Sequence, residues 1–228
     1  LDGTLRCEGE NGFGQLGTGS TAPQSDEVTV PGVPPVADVA VGSGHTCAVT
    51  RTGQVYCWGF NEHFSVGPYD DVVPSPTAVT TPEGVTFSGA VRIVAGAEHN
   101  CVLTGDGRAW CWGFNWAGQL GGGGSSVHAH PVEVDSPLGF VDLAAGTDHT
   151  CGVTADGRVF CWGLNNDGQL GLGSGSSFSV ETPTEVAVGL AVDVAARASH
   201  TCAALADGSA MCWGRNEAGQ LGAGSDVE

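Results

Sequence analysis

The stretch HTCGVTADGRVFCWGLNNDGQLGLG, residues 149–173, recurs along the chain with small changes. Related segments begin at His45, His99 and His200, and each has the order His-x-Cys, a short turn, Cys-Trp-Gly and a loop. The first cysteines stand at positions 47, 101, 151 and 202, so the repeat steps are 54, 50 and 51 residues. A period of about 50 residues with several short strands is typical of one β-propeller blade. A partial copy, LDGTLRCEGENGFGQLGTG, opens the chain.

Each complete copy predicts a β-hairpin closed by a cross-strand disulfide. Between Cys151 and Cys161, the runs CGVT and RVFC flank Ala155-Asp156-Gly157, a three-residue loop that ends in glycine. Counting outward from this loop places the two cysteines opposite each other, in a non-hydrogen-bonded pair where side chains approach closely. The same count predicts four bridges in all: Cys47–Cys57, Cys101–Cys111, Cys151–Cys161 and Cys202–Cys212.

Free core thiols and a metal site are the alternatives for these cysteines. Structural zinc sites favour closely spaced pairs such as C-x2-C, and the sequence contains none. We therefore predict no metal and no cofactor. Cys7 aligns with the second cysteine of the other copies, and its partner would lie ten residues upstream. We expect the sequence to be a piece of a longer protein that supplies this partner and an export signal.

These motifs resemble the repeat of the regulator of chromosome condensation family. The histidine-led strand, the Asp-Gly turn, the Trp-Gly pair and the N-x-x-G-Q-L-G loop all match, in four copies and half of a fifth. The resemblance implies an all-β fold, a β-propeller that commonly has seven blades in this family. The cysteine pairs depart from the nuclear member and indicate a secreted, bacterial-type relative. The family's functions differ widely, so the resemblance does not transfer one.

We expect one propeller domain, or a fragment of one, over residues 1–228. A partial blade would occupy 1–30. The repeats would lie near 31–80, 81–134, 135–186 and 187–228, giving four complete blades of a ring that would need about seven.

The composition limits the partners and the compartment. The chain has 25 acidic residues, seven arginines and no lysine, for a formal charge of −18. An acidic surface repels phosphate backbones, so we predict no nucleic-acid partner. No apolar run approaches the roughly twenty residues that span a bilayer, so we predict no membrane-spanning segment. Paired cysteines indicate an oxidising compartment, which is extracellular, periplasmic or at the cell surface.

A histidine stands two residues before the first cysteine of each complete copy. The four are His45, His99, His149 and His200. A ring of imidazoles could bind a metal ion. We favour a structural role in which each histidine anchors its own turn by hydrogen bonding to the preceding glycine-rich segment.

Two further positions repeat in register. One follows the second cysteine and is occupied by Trp58, Trp112, Trp162 and Trp213, with Glu8 in the partial copy. Strand alternation points these rings away from the disulfides, so we predict core packing between blades, with a ligand platform or light-sensing cluster as the alternatives.

The other position, seven residues before the histidine, holds Asp38, Arg92, Asp142 and Asp193. We expect a solvated edge there, and a negative ring is the alternative.

Departures from the repeat identify the candidate binding residues. In one copy, GFNEHFSVGPYDD from Gly59 to Asp71 replaces the common loop. It carries the candidates Phe60, His63, Phe64, Tyr69, Asp70 and Asp71. Trp116 is a lone aromatic residue in another loop and suits an interface anchor. His128 and His130 could form half of a metal site if their segment is extended, but two histidines are weak evidence.

The sequence contains no catalytic motif such as G-x-S-x-G or H-E-x-x-H, so we predict that the protein is not an enzyme. We predict a non-catalytic extracellular or periplasmic protein-interaction or scaffold module that uses rim loops of a propeller. An inhibitor of an extracellular enzyme and a glycan or small-molecule binder are the alternatives. Guanine-nucleotide exchange would require a reducing compartment, which the cysteine pairs disfavour. The sequence leaves the oligomeric state open.

Overall fold

The computed structural model describes residues 2–173, 176–222 and 224, which form antiparallel β-sheets without a helix. Sheet one contains β1 (Arg6–Gly9) and β2 (Gln24–Thr29). Sheet two contains β3 (Val36–Val41), β4 (His45–Thr50), β5 (Val55–Phe60) and β6 (Val72–Ala78). Sheet three contains β7 (Ala90–Ala95), β8 (His99–Thr104), β9 (Ala109–Gly113) and β10 (His128–Glu133). Sheet four contains β11 (Phe140–Ala145), β12 (His149–Thr154), β13 (Val159–Leu164) and β14 (Ser179–Val186). Sheet five contains β15 (Ala191–Arg197), β16 (His200–Leu205) and β17 (Ala210–Gly214).

The sheets are arranged as successive blades of a propeller. In each four-stranded sheet the strands lie side by side in chain order. The first strands β3, β7, β11 and β15 pack against one another, so they are the innermost strands of adjacent blades. This confirms the predicted all-β propeller with complete blades and a partial first one. The repeat limits stay a prediction, and residues 1, 174, 175, 223 and 225–228 within them lie outside the described residues.

The central hairpin of each complete blade has the predicted geometry. In sheet four the Thr154 N–H donates to the Arg158 carbonyl at 2.9 Å, and Gly157 adopts a φ of 82°. This positive φ is accessible to glycine at little steric cost, which explains the Asp-Gly signature of the turn. The register then places Cys151 directly opposite Cys161.

All four predicted cysteine pairs are disulfide-bonded, with Cα–Cα distances of 4.0 to 4.1 Å. These short distances are those of non-hydrogen-bonded cross-strand pairs. Cys7 is a free, half-buried thiol, and burial raises its pKa.

The blades pack with the disulfide side of one sheet against the tryptophan side of the next. Cys47 and Cys57 share a buried cluster with Trp112, and Cys101 and Cys111 share one with Trp162. Strand alternation requires this arrangement, because neighbouring residues of a strand point to opposite faces. The predicted core role of the tryptophans is correct: Trp58, Trp112 and Trp162 are fully buried.

The tryptophan side chains also join blades by hydrogen bonds. Each indole N–H donates to a backbone carbonyl in the loop of the preceding blade. The bonds are Trp58–Gln15 (2.8 Å), Trp112–Ser65 (2.9 Å), Trp162–Gln119 (2.9 Å) and Trp213–Gln169 (2.9 Å). Each carbonyl also accepts a second bond from the residue after the repeated histidine, for example Thr150 Oγ1 to Gln119 at 2.9 Å. A loop of one blade is therefore attached to the core of the next.

The side chains of His45, His99 and His149 bond across blades, while their backbone carbonyls accept from the preceding glycine of their own turn, as the His149 carbonyl does from the Gly146 N–H at 2.9 Å. His99 Nε2 lies 3.0 Å from Thr150 Oγ1, and His149 Nε2 lies 2.9 Å from Thr201 Oγ1. Because each threonine hydroxyl already donates to a loop carbonyl, it must accept from the histidine. The predicted structural role is correct, and the predicted bond to the preceding glycine-rich segment is made by the backbone, whereas the side chain bonds to the next blade. The preceding glycine also supplies room for the ring, since a Cβ at Gly146 would lie 2.1 Å from His149 Cε1.

The register-matched acids also join blades, so the expected solvated edge is wrong for two of them. Asp38 Oδ2 accepts the Ile93 backbone N–H of the next blade at 2.9 Å. Asp142 is buried and forms a 2.6 Å ion pair with Arg92. Burial, followed by a hydrogen bond to Asp193, raises the Asp142 pKa to about 6.

The disulfides predict the thiol content of the unfolded chain. We expect one titratable thiol per chain, that of Cys7, when the protein is denatured without a reductant and treated with a thiol reagent. Reduction before denaturation should raise this to the full nine cysteines. Three or more thiols in the unreduced sample would contradict the pairing.

The buried histidines predict acid destabilisation. Burial lowers the pKa of His99 to about 3 and that of His149 to about 4, and it also lowers the pKa of His45. Since the folded pKa values lie below the unfolded value of about 6.5, their contribution is complete above pH 6.5 and is lost as the pH falls. At pH 5 we expect a loss of about 2 kcal/mol for each of His99 and His149, measured by urea unfolding against pH 7.

Asp142 acts in the opposite direction. Its folded pKa lies above the unfolded one, so it destabilises the fold as the pH rises through about 4 to 6. Lowering the pH from 7 to 5 therefore raises the free energy of unfolding by about 1 kcal/mol through Asp142. The loss from the two histidines is larger, so the net effect is destabilisation. A free energy of unfolding that is equal or higher at pH 5 would show that the histidines can accept protons in the folded state.

Candidate functional site

The alternating strand directions define two faces of the propeller. The loop face carries the turns 42–44, 96–98, 146–148 and 198–199 and the loops that follow β1, β5, β9, β13 and β17. The hairpin face carries the turns 51–53, 105–107, 155–157 and 206–208. The predicted binding residues lie in connections of the loop face, except Phe60, which ends β5 at the same face. This face is therefore the candidate functional site.

A buried asparagine organises each loop of the loop face. In the divergent loop, Asn61 Oδ1 accepts the Val66 N–H at 2.7 Å, and Nδ2 donates to the carbonyls of Gly67, Tyr69 and Asp70. Equivalent bonds join Asn115 Oδ1 to the Leu120 N–H, and Asn165 Oδ1 to that of Leu170. The segment NEHFSVG thus folds like N-x-x-G-Q-L-G, although its sequence appeared to replace that loop.

Phe64 occupies a backbone position that other blades give to glycine. Its φ is 61°, and Gly14, Gly118 and Gly168 have φ values of 74°, 79° and 75° at the same place in their loops. A bulky side chain in the left-handed region is an outlier that costs roughly 1–2 kcal/mol. The ring of Phe64 is 40% exposed, so burial recovers only part of that cost.

Exposed and half-buried aromatic rings lie in two groups on the loop face. His63 packs on Phe114 with ring centroids 4.7 Å apart, and Phe114 packs on Trp116 at 5.5 Å. Phe13 packs on Phe60 at 4.9 Å. Trp116 is 74% exposed, the highest value among the large apolar side chains of the described residues. We call Phe13, Phe60, His63, Phe64, Phe114 and Trp116 the aromatic row.

A small turn residue lets two of these rings meet. A Cβ at Gly44 would lie 3.0 Å from Phe60 Cβ and 3.3 Å from Phe13 Cδ2. The glycine therefore allows Phe13 from sheet one to close against Phe60 from sheet two. The row is built from the loops of sheets one to three, whereas sheets four and five carry Leu164 and Arg215 at the position of Phe60 and Phe114.

Two acidic side chains border the aromatic row. Glu98 bonds to His63 Nδ1, and Asp148 Oδ1 accepts from Gln119 Nε2 at 3.2 Å. Burial, with a smaller contribution from the charge of Glu98, raises the pKa of Asp148. The two carboxylates repel each other, and a cation between them would relieve this repulsion.

The structure separates the predicted binding residues into two groups. Phe60, His63, Phe64 and Trp116 belong to the row, and the rings of Phe60, His63 and Trp116 contact other rings in it. Tyr69, by contrast, turns toward the outer strand, where its hydroxyl donates to the Ala78 carbonyl at 3.2 Å. Asp70 and Asp71 are exposed beside it and make their contacts to Asn61 with backbone atoms.

Sequence reasoning missed Phe13, Phe114 and Glu98. Phe13 and Phe114 stand in loops that match the repeat, so a comparison of the copies does not single them out. The shared Trp-Gly-Phe of two copies was a usable signal, because Phe60 and Phe114 both follow the Trp-Gly pair. Glu98 lies in a turn between strands, and its proximity to His63 is a tertiary contact.

The inner ends of the same face surround a cavity of about 550 Å³ at the propeller axis. It is lined by the first turns of sheets two to five, mostly by glycine and alanine, with Ser43, Thr147 and Arg197 as polar members. None of the predicted binding residues lines it.

His130, half of the weak metal alternative, bonds to the Thr80 carbonyl at 2.8 Å. No group of three or more potential ligands for a metal ion occurs among the described residues. In the same residues no helix is long and apolar enough to cross a membrane.

Comparison with known proteins settles the family. A family model described as the RCC1-like domain matches residues 1–228. The chain belongs to the RCC1-like domain family. The human E3 ubiquitin-protein ligase HERC2 is 29% identical over 231 residues, which cover 98% of this chain and 5% of that protein.

Solved structures of RCC1-like propellers have the same fold. Yeast RCC1 (Prp20), in a crystal structure with Kap60, superposes with a TM-score of 0.84 at 21% identity and covers 99% of this chain. Human WBSCR16 gives a TM-score of 0.78 at 24% identity and also covers 99%. This chain spans 56% and 61% of those two chains.

The strained position in this RCC1-like domain predicts an unusual mutational result. Phe64→Ala and Phe64→Gly both remove the ring, but only alanine keeps a Cβ at a φ of 61°. We expect the glycine variant to be more stable than the alanine variant by about 1 kcal/mol in chemical unfolding. The order should reverse for the exposed strand residue Val72, where alanine should be the more stable. Equal stabilities of the two Phe64 variants would contradict the strain.

Proposed function

We propose that this chain is a non-catalytic protein-binding propeller that works in an oxidising compartment, outside the cell or in the periplasm. It binds its partner through the loop face. The observation that carries the proposal is the aromatic row, because exposed aromatic side chains on a rigid scaffold are typical anchors of protein interfaces.

The rigidity of the scaffold supports this function. Buried asparagines hold the loop backbones, and indole bonds attach those loops to the next blade. Ordered loops lose little conformational entropy on binding, which favours affinity. The cost of Phe64 also fits an interface role, since strained residues cluster at functional positions.

The four disulfides support the compartment. Sheets two to five each contain one disulfide, and the cysteines of sheets two to four are fully buried. Such bonds form and persist in oxidising environments and are rare where glutathione keeps thiols reduced. They weigh against an intracellular role such as nucleotide exchange.

A relative offers a precedent for protein binding. Yeast RCC1, which has this fold, has been crystallised bound to the protein Kap60. An inhibitor of an extracellular enzyme would be a special case of the same function. A glycan site is less well supported, because the axial cavity is lined mostly by glycine and alanine and contains no aromatic residue.

The proposal predicts that binding depends on one face. We expect Trp116→Ala and Phe64→Gly each to weaken capture of secreted proteins from the source organism by about tenfold or more, as hot-spot anchors do. Leu190→Ala is the matched control, since Leu190 is 60% exposed and lies toward the hairpin face. Quantitative mass spectrometry of captured proteins measures the effect. Capture that survives both loop-face changes would overturn the proposal.

A further inference from the structure

The two faces of the propeller differ in how their charges are balanced. Five of the seven arginines lie toward the hairpin face: Arg6, Arg51, Arg92, Arg108 and Arg158. Arg108 contacts Asp106 and Glu133, and Arg158 contacts Asp156 and Glu185. Arg92 pairs with Asp142 in the same region. Six acids on this side therefore have a guanidinium partner within ion-pair distance: Glu27, Asp106, Glu133, Asp142, Asp156 and Glu185.

The loop face has little such compensation. Arg215 bonds to Glu217 beside it, and Arg197 lies at the axial cavity, so neither borders the aromatic row. The acids that border the row are Glu98, through His63, and Asp148, through Gln119. Among the described residues, His63 is the one basic group for which an ion pair with these acids is seen. It balances the charge of Glu98 only when it is protonated.

Aromatic faces and carboxylates favour the same kind of ligand. An indole attracts a guanidinium or ammonium group placed within about 6 Å of its ring, and a carboxylate attracts the same group. Trp116 and Phe114 expose such rings on the row, and Glu98 belongs to it through His63. Asp148 lies close enough to Glu98 for their charges to interact. An acidic partner would place like charges against each other and lose the aromatic contacts.

We propose that the loop face docks a basic segment of its protein partner, with arginine or lysine side chains over the Trp116–Phe114 rings and beside Glu98 and Asp148. This inference rests on the proposed function and adds the chemistry of the partner. The charge complementarity also predicts the kinetics: a chain with a formal charge of −18 attracts a basic partner from a distance, so association is fast and salt-dependent.

Two labelled peptides of equal length test the proposal on the folded chain. One alternates arginine with leucine, and the other alternates glutamate with leucine. Fluorescence anisotropy should show binding of the arginine peptide alone, with an affinity that falls about tenfold or more from 50 to 500 mM salt. Equal binding of both peptides, or affinity unchanged by salt, would overturn the proposal.

Isosteric variants locate the interaction. Glu98→Gln and Asp148→Asn keep their shape and their bonds to His63 and Gln119, so the fold should remain intact. Together they should weaken the arginine peptide about tenfold, and Trp116→Ala should do so as well. Asp135→Asn removes an exposed charge of the hairpin face and is the matched control. A loss as large in the control as in the double variant would assign the effect to net charge and overturn the site.

The two proposals fail in different ways. If Trp116→Ala abolishes capture of the partner but the double charge variant changes neither capture nor peptide affinity, the basic chemistry is wrong and the docking face stands. If neither Trp116→Ala nor Phe64→Gly changes capture, the docking face itself is wrong, whatever the peptides show.

Discussion

The bond between a tryptophan indole and a loop carbonyl of the preceding blade is the contact on which the architecture depends. It recurs at all four junctions between described sheets, at 2.8 to 2.9 Å. Both partners are buried or half-buried, so a lost bond would leave a polar group without compensation, at a cost of about 1–3 kcal/mol. The same carbonyl accepts a hydrogen bond from a threonine or asparagine side chain of the next blade. That side chain in turn accepts a hydrogen bond from a repeated histidine, as Thr150 does from His99. One backbone oxygen thereby fixes the distance and orientation of two sheets.

Because this contact uses a backbone atom, it leaves the loop side chains free to vary. Ser65 stands where other loops have glutamine, and its carbonyl still accepts from Trp112 and Asn100. Val66 keeps the buried apolar position of the loop leucines. The remaining positions, among them His63 and Phe64, face outward and can change chemistry without disturbing the junction. The fold thus separates the residues that hold blades together from those exposed on the loop face.

This separation explains what the sequence could predict. The repeat period and the ten-residue cysteine spacing are local, so counting along a hairpin predicted the blades and all four disulfides. The partners of the histidines and of Asp38 lie about 50 residues away in the next sheet, so no local count reveals them. The site was predicted in part for the same reason. Departures from the repeat identified Phe60, His63 and Trp116, but Phe114 and Glu98 join them only through tertiary contacts.

The disulfides and the inter-blade bonds stabilise different levels of the structure. Each disulfide links the two strands of one hairpin. It reduces the number of conformations that the unfolded chain can adopt, but it forms no covalent bond between sheets. Cohesion between sheets comes from buried tryptophans, histidines and the carbonyls they meet, and these groups lie toward the loop face. The loop face is consequently well ordered and can tolerate the strain at Phe64 and the repulsion between Glu98 and Asp148. Both are unfavourable in the free protein. A cationic group placed between the acids would relieve their repulsion, whereas the backbone strain at Phe64 stays the same when its ring is covered.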